Sequence, residues 1–193
     1  FAMLLLQPVF MSTTAQYTTT SHGIIVNVGG QQVELAVAKT IGFRLSISFS
    51  KTPSAINSIF IDDTDTSYSD FTVVSNAPSY RIKTSYGSLT INSETKKWSL
   101  YDSSGMILIP EGSFRVSETS QIICYKPKSK GICYGSGNLT SESLVKVSSS
   151  PSMDIGATDL PYLWNSSGYS ALGISSNDDS PARWTSSKSS SVT

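Results

Sequence analysis

Side chains that alternate in character at every second position constrain this chain most. Phe43, Leu45, Ile47 and Phe49 alternate with Arg44, Ser46 and Ser48. That is the pattern of a strand with one face in a core and one in water. Val33, Leu35 and Val37 repeat it against Glu34 and Ala36. Further strands are predicted at 23–28, 58–62, 71–75, 80–84, 86–92, 97–101, 106–110, 114–125, 132–134, 160–164 and 168–174. Turn residues separate several of them: Gly29-Gly30, Tyr86-Gly87 and Asp102-Ser103-Ser104-Gly105. No window holds a helical period with caps. Many short strands at this spacing imply an all-β, antiparallel β-sandwich and exclude a Rossmann or P-loop architecture.

The longest interruption is the informative one. A strand ends at the corner Tyr134-Gly135-Ser136-Gly137, and a polar loop runs from 138 to 159. The chain then returns through Leu160-Pro161-Tyr162 and Gly168-Tyr169. A polar loop this long inside a β domain is uncommon without a role, so function is expected on this rim.

The 193 residues suffice for one domain with a sizeable core. Net charge is zero and charged residues make up 15%, which argues against a nucleic-acid partner. Lys126, Lys128 and Lys130 around Pro127 read as a solvated turn. Residues 1–16 are apolar and then small, too short to span a bilayer as a helix. They read as the remnant of a secretory signal peptide, against the alternative of a buried strand. The chain is therefore expected to be exported, periplasmic or secreted, with its domain at 17–185 and a linker from 186 to 193.

Export permits disulfides. If Tyr125 pairs with Ile132 in a hairpin, Cys124 faces Cys133; a bridge and two half-buried thiols both fit.

Candidate chemistry is sparse. Gly135-x-Gly137 lacks the third glycine and the helix of a dinucleotide motif, and its glycines suit a corner. Asp62-Asp63-Thr64-Asp65-Thr66-Ser67 has oxygens at spacing two, but Tyr68 and Val74 stand where a calcium loop needs Gly and Glu. His22 is the only histidine and has no implied triad partner. Glu142, Asp154 and Asp159 lie near the loop, with nothing in their spacing that pairs two for glycoside cleavage. No cofactor or metal is expected. Tyr162, Trp164, Tyr169 and Trp184 cluster after the loop. Exposed rings stack on sugars and buried ones fill a core, which is the expected fate here. Asn138-Leu139-Thr140 and Asn165-Ser166-Ser167 are sequons.

Taken in order, these motifs resemble the N-terminal β-sandwich of glycoside hydrolase family 31, the α-glucosidase, α-xylosidase and α-galactosidase group. The family has a Tyr-Gly-x-Gly corner, here Tyr134 to Gly137. It then has a loop, a Pro-aromatic strand, here Pro161 to Trp164, and a Gly-Tyr turn, here Gly168-Tyr169. Val33 to Phe49 and Tyr80 to Ile109 resemble its earlier strands. Asn138 and Ser170 depart from its usual acid and glycine.

The resemblance implies a galactose-mutarotase-like topology and a role without catalytic residues of its own. The family's two catalytic carboxylates lie in a following (β/α)8 barrel that these residues do not include. The sandwich would dock on that barrel and form one wall of a pocket for an α-linked oligosaccharide. Asp154, and next Asp159, would hydrogen-bond sugar hydroxyls, since a carboxylate offers two acceptor oxygens to a diol. Two other readings stand beside it. One is a free-standing carbohydrate-binding module using surface aromatics; the other is an adhesion-type sandwich with no ligand.

Overall fold

The computed structural model describes residues 17–38, 42–48, 70–116, 121–126, 133–135 and 162–172. Among them every regular element is a strand, and every described ladder is antiparallel. The first sheet is the meander β1 (Tyr17–Thr19), β2 (Gly23–Val28), β3 (Gln31–Ala38) and β4 (Gly42–Ser48). The second runs β5 (Thr72–Asn76), β6 (Ser79–Lys83), β7 (Gly87–Asn92), β8 (Lys97–Asp102), β9 (Ile107–Val116) and β10 (Gln121–Lys126), each beside its sequence neighbour. A third, smaller sheet holds β11 (Cys133–Gly135), β12 (Tyr162–Asn165) and β13 (Tyr169–Leu172).

The first two sheets bury their alternating side chains against one another. Ile24, Val26, Val28, Val33, Leu35 and Val37 meet Tyr80, Ile82, Leu89, Ile91, Trp98, Ile109 and Phe114 in one cluster. Phe43, Leu45 and Ile47 pack on its edge, as the alternation predicts. Burying an aliphatic side chain of this size contributes about 1.5–3 kcal/mol, so this cluster is the main source of stability. The β4 strand is also tied across the sandwich. The Tyr86 hydroxyl donates to the Gly42 carbonyl at 2.8 Å, and its ring lies 5.3 Å from that of Phe43.

The turns follow their residues. Gly29 and Gly30 have φ of 61° and 86°, the conformation a two-residue hairpin requires. The Asp102 carboxylate accepts from the backbone N–H groups of Ser104 and Met106 and from the Ser104 hydroxyl. These donors, the hydroxyl foremost, hold its pKa below the usual aspartate range.

Four expectations change. First, β1 was not anticipated. Its Tyr17-Thr18-Thr19 has no apolar alternation, and it forms as an edge strand by pairing with Ile24 to Val26. Second, 106–110 joins 114–116 in one strand, with Pro110 accommodated where the β8–β9 register shifts. Third, 114–125 is not one strand, because Val116 faces Gln121 across a reversal. Fourth, the face of β3 expected to be wet is dry at Glu34 and Ala36, though Gln32 on it is exposed. Glu34 is 6% exposed and Ala36 0%. Glu34 tolerates burial because Arg44 donates to its carboxylate at 3.1 Å.

Candidate functional site

The informative rim is built on the third sheet. Gly135 lies opposite Leu163 and Cys133 opposite Asn165. The chain therefore leaves the sheet at the Tyr134-Gly135 corner and re-enters it on the adjacent strand. The intervening stretch, with Asp154 and Asp159, lies outside the described residues, as do Glu142, Trp184 and the Asp62–Ser67 segment. What the structure supplies is the frame from which that stretch departs.

The β12–β13 hairpin is fixed by one side chain. Asn165 is 2% exposed, and its Oδ1 accepts from the Ser167 backbone at 2.8 Å. The Gly168 N–H donates to the Asn165 carbonyl at 3.0 Å, with Gly168 at a φ of 96°. This local turn explains the Asn-Ser-Ser-Gly run. It also buries the sequon amide, so Asn165 in the folded protein offers no accessible acceptor for a glycan.

The aromatics divide. Tyr169 is 8% exposed and belongs to the main core, as expected. Trp164 departs from that expectation at 39% exposed, beside the exposed Ser170 on the paired strand. Alternation places Trp164 on the face opposite the buried Asn165. An indole half in water at the foot of a long polar stretch provides an apolar plate for a sugar ring or a neighbouring surface.

The Tyr125–Ile132 pairing on which a Cys124–Cys133 bridge was conditional is not among the described ladders. Cys124 faces Ser113 in the second sheet, and Cys133 faces Asn165 in the third. Ile132 itself lies outside the described residues. His22 is half-buried, and its carbonyl accepts from the Val37 N–H at 2.8 Å, a role in the sheet. Two groups escaped sequence reasoning. The Glu34–Arg44 pair depends on a cross-strand register that sequence does not state. The Arg81–Tyr101 pair, with the guanidinium 5.3 Å from the ring centroid, had a faint signal in the exposed alternation of Arg81 and Lys83.

No protein-family model and no curated protein sequence matches this chain. Solved structures do. The chain is similar to a family 31 α-xylosidase from Xanthomonas citri, with 20% identity and a TM-score of 0.55 over 80% of this chain and 18% of that one. A family 31 α-xylosidase from a soil metagenome, complexed with xylose, gives 13% identity and a TM-score of 0.63, covering 92% and 30%. The cycloalternan-forming enzyme of Listeria monocytogenes, in complex with a pentasaccharide substrate, gives 13% and 0.65, covering 92% and 18%. The chain thus has the fold of a segment of these glycosidase structures and spans less than a third of the length of each. The resemblance read from the motif order and the likeness of fold point to the same group.

Proposed function

We propose that this chain is the non-catalytic N-terminal β-sandwich of an exported retaining α-glycosidase of family 31. In this reading it docks on a (β/α)8 barrel of the same polypeptide and walls one side of the sugar pocket. The observation that carries the reading is the fold likeness to the two α-xylosidases and the cycloalternan-forming enzyme, each much longer than this chain. The adjacency of Gly135 and Leu163 supports it, since the residues that flank the 138–159 stretch lie on paired strands. Asp154 would accept hydrogen bonds from sugar hydroxyls, with Asp159 as the second candidate. Bond cleavage would belong to two carboxylates of the barrel, one forming a glycosyl-enzyme and the other serving as acid and then base.

The test is kinetic, in the complete enzyme encoded by the gene. With a panel of nitrophenyl α-glycosides, Asp154→Asn should raise KM about tenfold or lower kcat/KM to match. An unchanged kcat/KM refutes the role of Asp154. A reading frame without a barrel carrying a nucleophilic Asp refutes the whole assignment.

The exposure of Trp164 favours a second reading, a carbohydrate-binding module, while the burial of Tyr169 removes one ring from its platform. Titrating the chain with neutral malto- and xylo-oligosaccharides separates the two. The first reading expects negligible affinity, and clear binding that is lost in Trp164→Ala establishes the second.

A further inference from the structure

The outer face of the second sheet carries a charge imbalance that the sugar-pocket reading does not use. Along β6, Tyr80 and Ile82 are buried while Arg81 and Lys83 are exposed. Side chains two apart on a strand stand about 6.5–7 Å apart on one face. Arg81 is held in place. Its Nε donates to the Thr90 hydroxyl oxygen at 3.0 Å, and its guanidinium stacks over Tyr101. Register explains this: Arg81 faces Thr90, and Tyr101 lies in the adjoining Lys83–Ser88–Tyr101 row. The bond and the ring use the Nε and one face of the guanidinium, so its terminal N–H groups are preoriented toward solvent.

The neighbours add little negative charge. Among the described side chains on the strands of this face, the only carboxylate is Glu111, engaged by Lys97 at 3.1 Å; Asp70, exposed and two residues before Thr72, stands at the margin of the face beside the Thr72–Lys83 pair. Arg81 and Lys83 are therefore left as adjacent cations in a chain of zero net charge. Around them are hydroxyl and amide groups, namely Thr72, Asn76 and the Thr90 hydroxyl, whose own proton the Arg81 bond does not consume. Among the described residues of this face, the one large apolar side chain that is exposed is Val74.

We propose that this face, centred on Arg81 and Lys83, binds an acidic polysaccharide through its carboxylates. A fixed guanidinium matches a carboxylate bidentately, and the adjacent ammonium engages the next one along the polymer. Thr72, Asn76 and Thr90 then meet sugar hydroxyls. Protein docking is disfavoured, because an interface core needs several apolar or aromatic anchors and Val74 is the one exposed among the described residues of this face. Duplex nucleic acid is disfavoured too. The described cations are Arg81, Lys83 and the neutralised Lys97, short of the roughly six to ten phosphate contacts such binding uses. The surface does not depend on the pocket assignment, because neutral substrates would not engage it.

The experiment is affinity electrophoresis of the chain in gels containing polygalacturonate, neutral dextran or neither. Polygalacturonate should retard it at about 20 mM salt and less at about 150 mM, since exposed charges are screened. Dextran should not. R81Q/K83Q should weaken retardation about tenfold, with its thermal melt confirming the fold. K83Q alone should weaken it less, and E111Q, which releases Lys97, should strengthen it. No retardation by polygalacturonate, or unchanged retardation of R81Q/K83Q or E111Q, overturns the proposal. Tighter capture by phosphatidylserine vesicles or duplex DNA than by polygalacturonate overturns it as well.

Discussion

Gly112 faces Trp98 across the β8–β9 ladder, and Trp98 is 7% exposed. The indole occupies the space that a side chain at 112 would need. A Cβ added there would press into Cε2, Nε1 and Cδ2 of the ring, far inside the ~3.5–4.0 Å optimum for carbon contacts. A fused ring cannot bend away as a lysine tip does, so either the ring or the strand must shift. Overpacking of this kind costs about 1–3 kcal/mol. Losing the indole from its place altogether would cost about 3–5 kcal/mol, which sets the upper bound. The lower conformational entropy of Ala in the unfolded chain returns only about 0.5–1 kcal/mol. Gly112→Ala should therefore destabilise by about 1–3 kcal/mol, a fall in Tm of roughly 2–12 °C for a chain of this size. Thermal melts followed by near-ultraviolet circular dichroism would show both the loss and the disturbed indole. In a Trp98→Leu background the obstacle is gone and the penalty should shrink. The reasoning fails if Gly112→Ala melts with wild type, or if it costs the same with Leu at 98.

Three further outcomes follow from other sites. Glu34→Gln leaves Arg44 facing a neutral partner in a largely buried position, and should cost about 1–3 kcal/mol in urea unfolding; a shift in midpoint too small to resolve would refute the pairing. Lys96 has a φ of 57°, which costs an L-residue about 1–2 kcal/mol, so Lys96→Gly should raise Tm by a few degrees despite its entropy penalty, and a fall would refute it. The Asp102 carboxyl is held below its ordinary value of about 3.9, so its stabilisation is present above that pH and lost as pH falls through the lowered pKa. Wild type should accordingly exceed Asp102→Asn in stability at about pH 6, with the gap closing in strong acid; a gap independent of pH would exclude the carboxylate as its source.

The sandwich was legible because its requirement is coarse. Alternation at Leu45 and Ile47, or Val33 and Leu35, states which face is apolar, and burial follows for almost any side chains of suitable volume. Elements that depend on a partner were not legible. The β1 strand exists because Ile24 to Val26 offer a free edge, and nothing in Tyr-Thr-Thr announces it. Glu34 reads as a wet position until the register brings Arg44 within 3.1 Å. Pro110 reads as the end of a strand until a register shift provides a place that needs no N–H. At the rim, the Asn165 turn was written in its own Asn-Ser-Ser-Gly, whereas the outward orientation of Trp164 was not.

The same contrast explains why the fold is shared at 13–20% identity while the substrate is not readable. Core positions such as Ile82 and Ile91 select for volume and apolarity, a condition many sequences meet. A sugar contact selects for particular oxygens at particular distances, and on the proposed reading those belong to the residues between Gly135 and Leu163, which face each other on paired strands. Closing a loop between fixed neighbours costs only about 0.6 kcal/mol for each doubling of its length. Its length and residues are therefore free to change with little effect on the sandwich beneath. A rim built in this way accommodates new ligands without a new fold, so on the proposed reading the identity of the sugar must be sought in the residues from 138 to 159 and in the partner surface they face, not in the sheets.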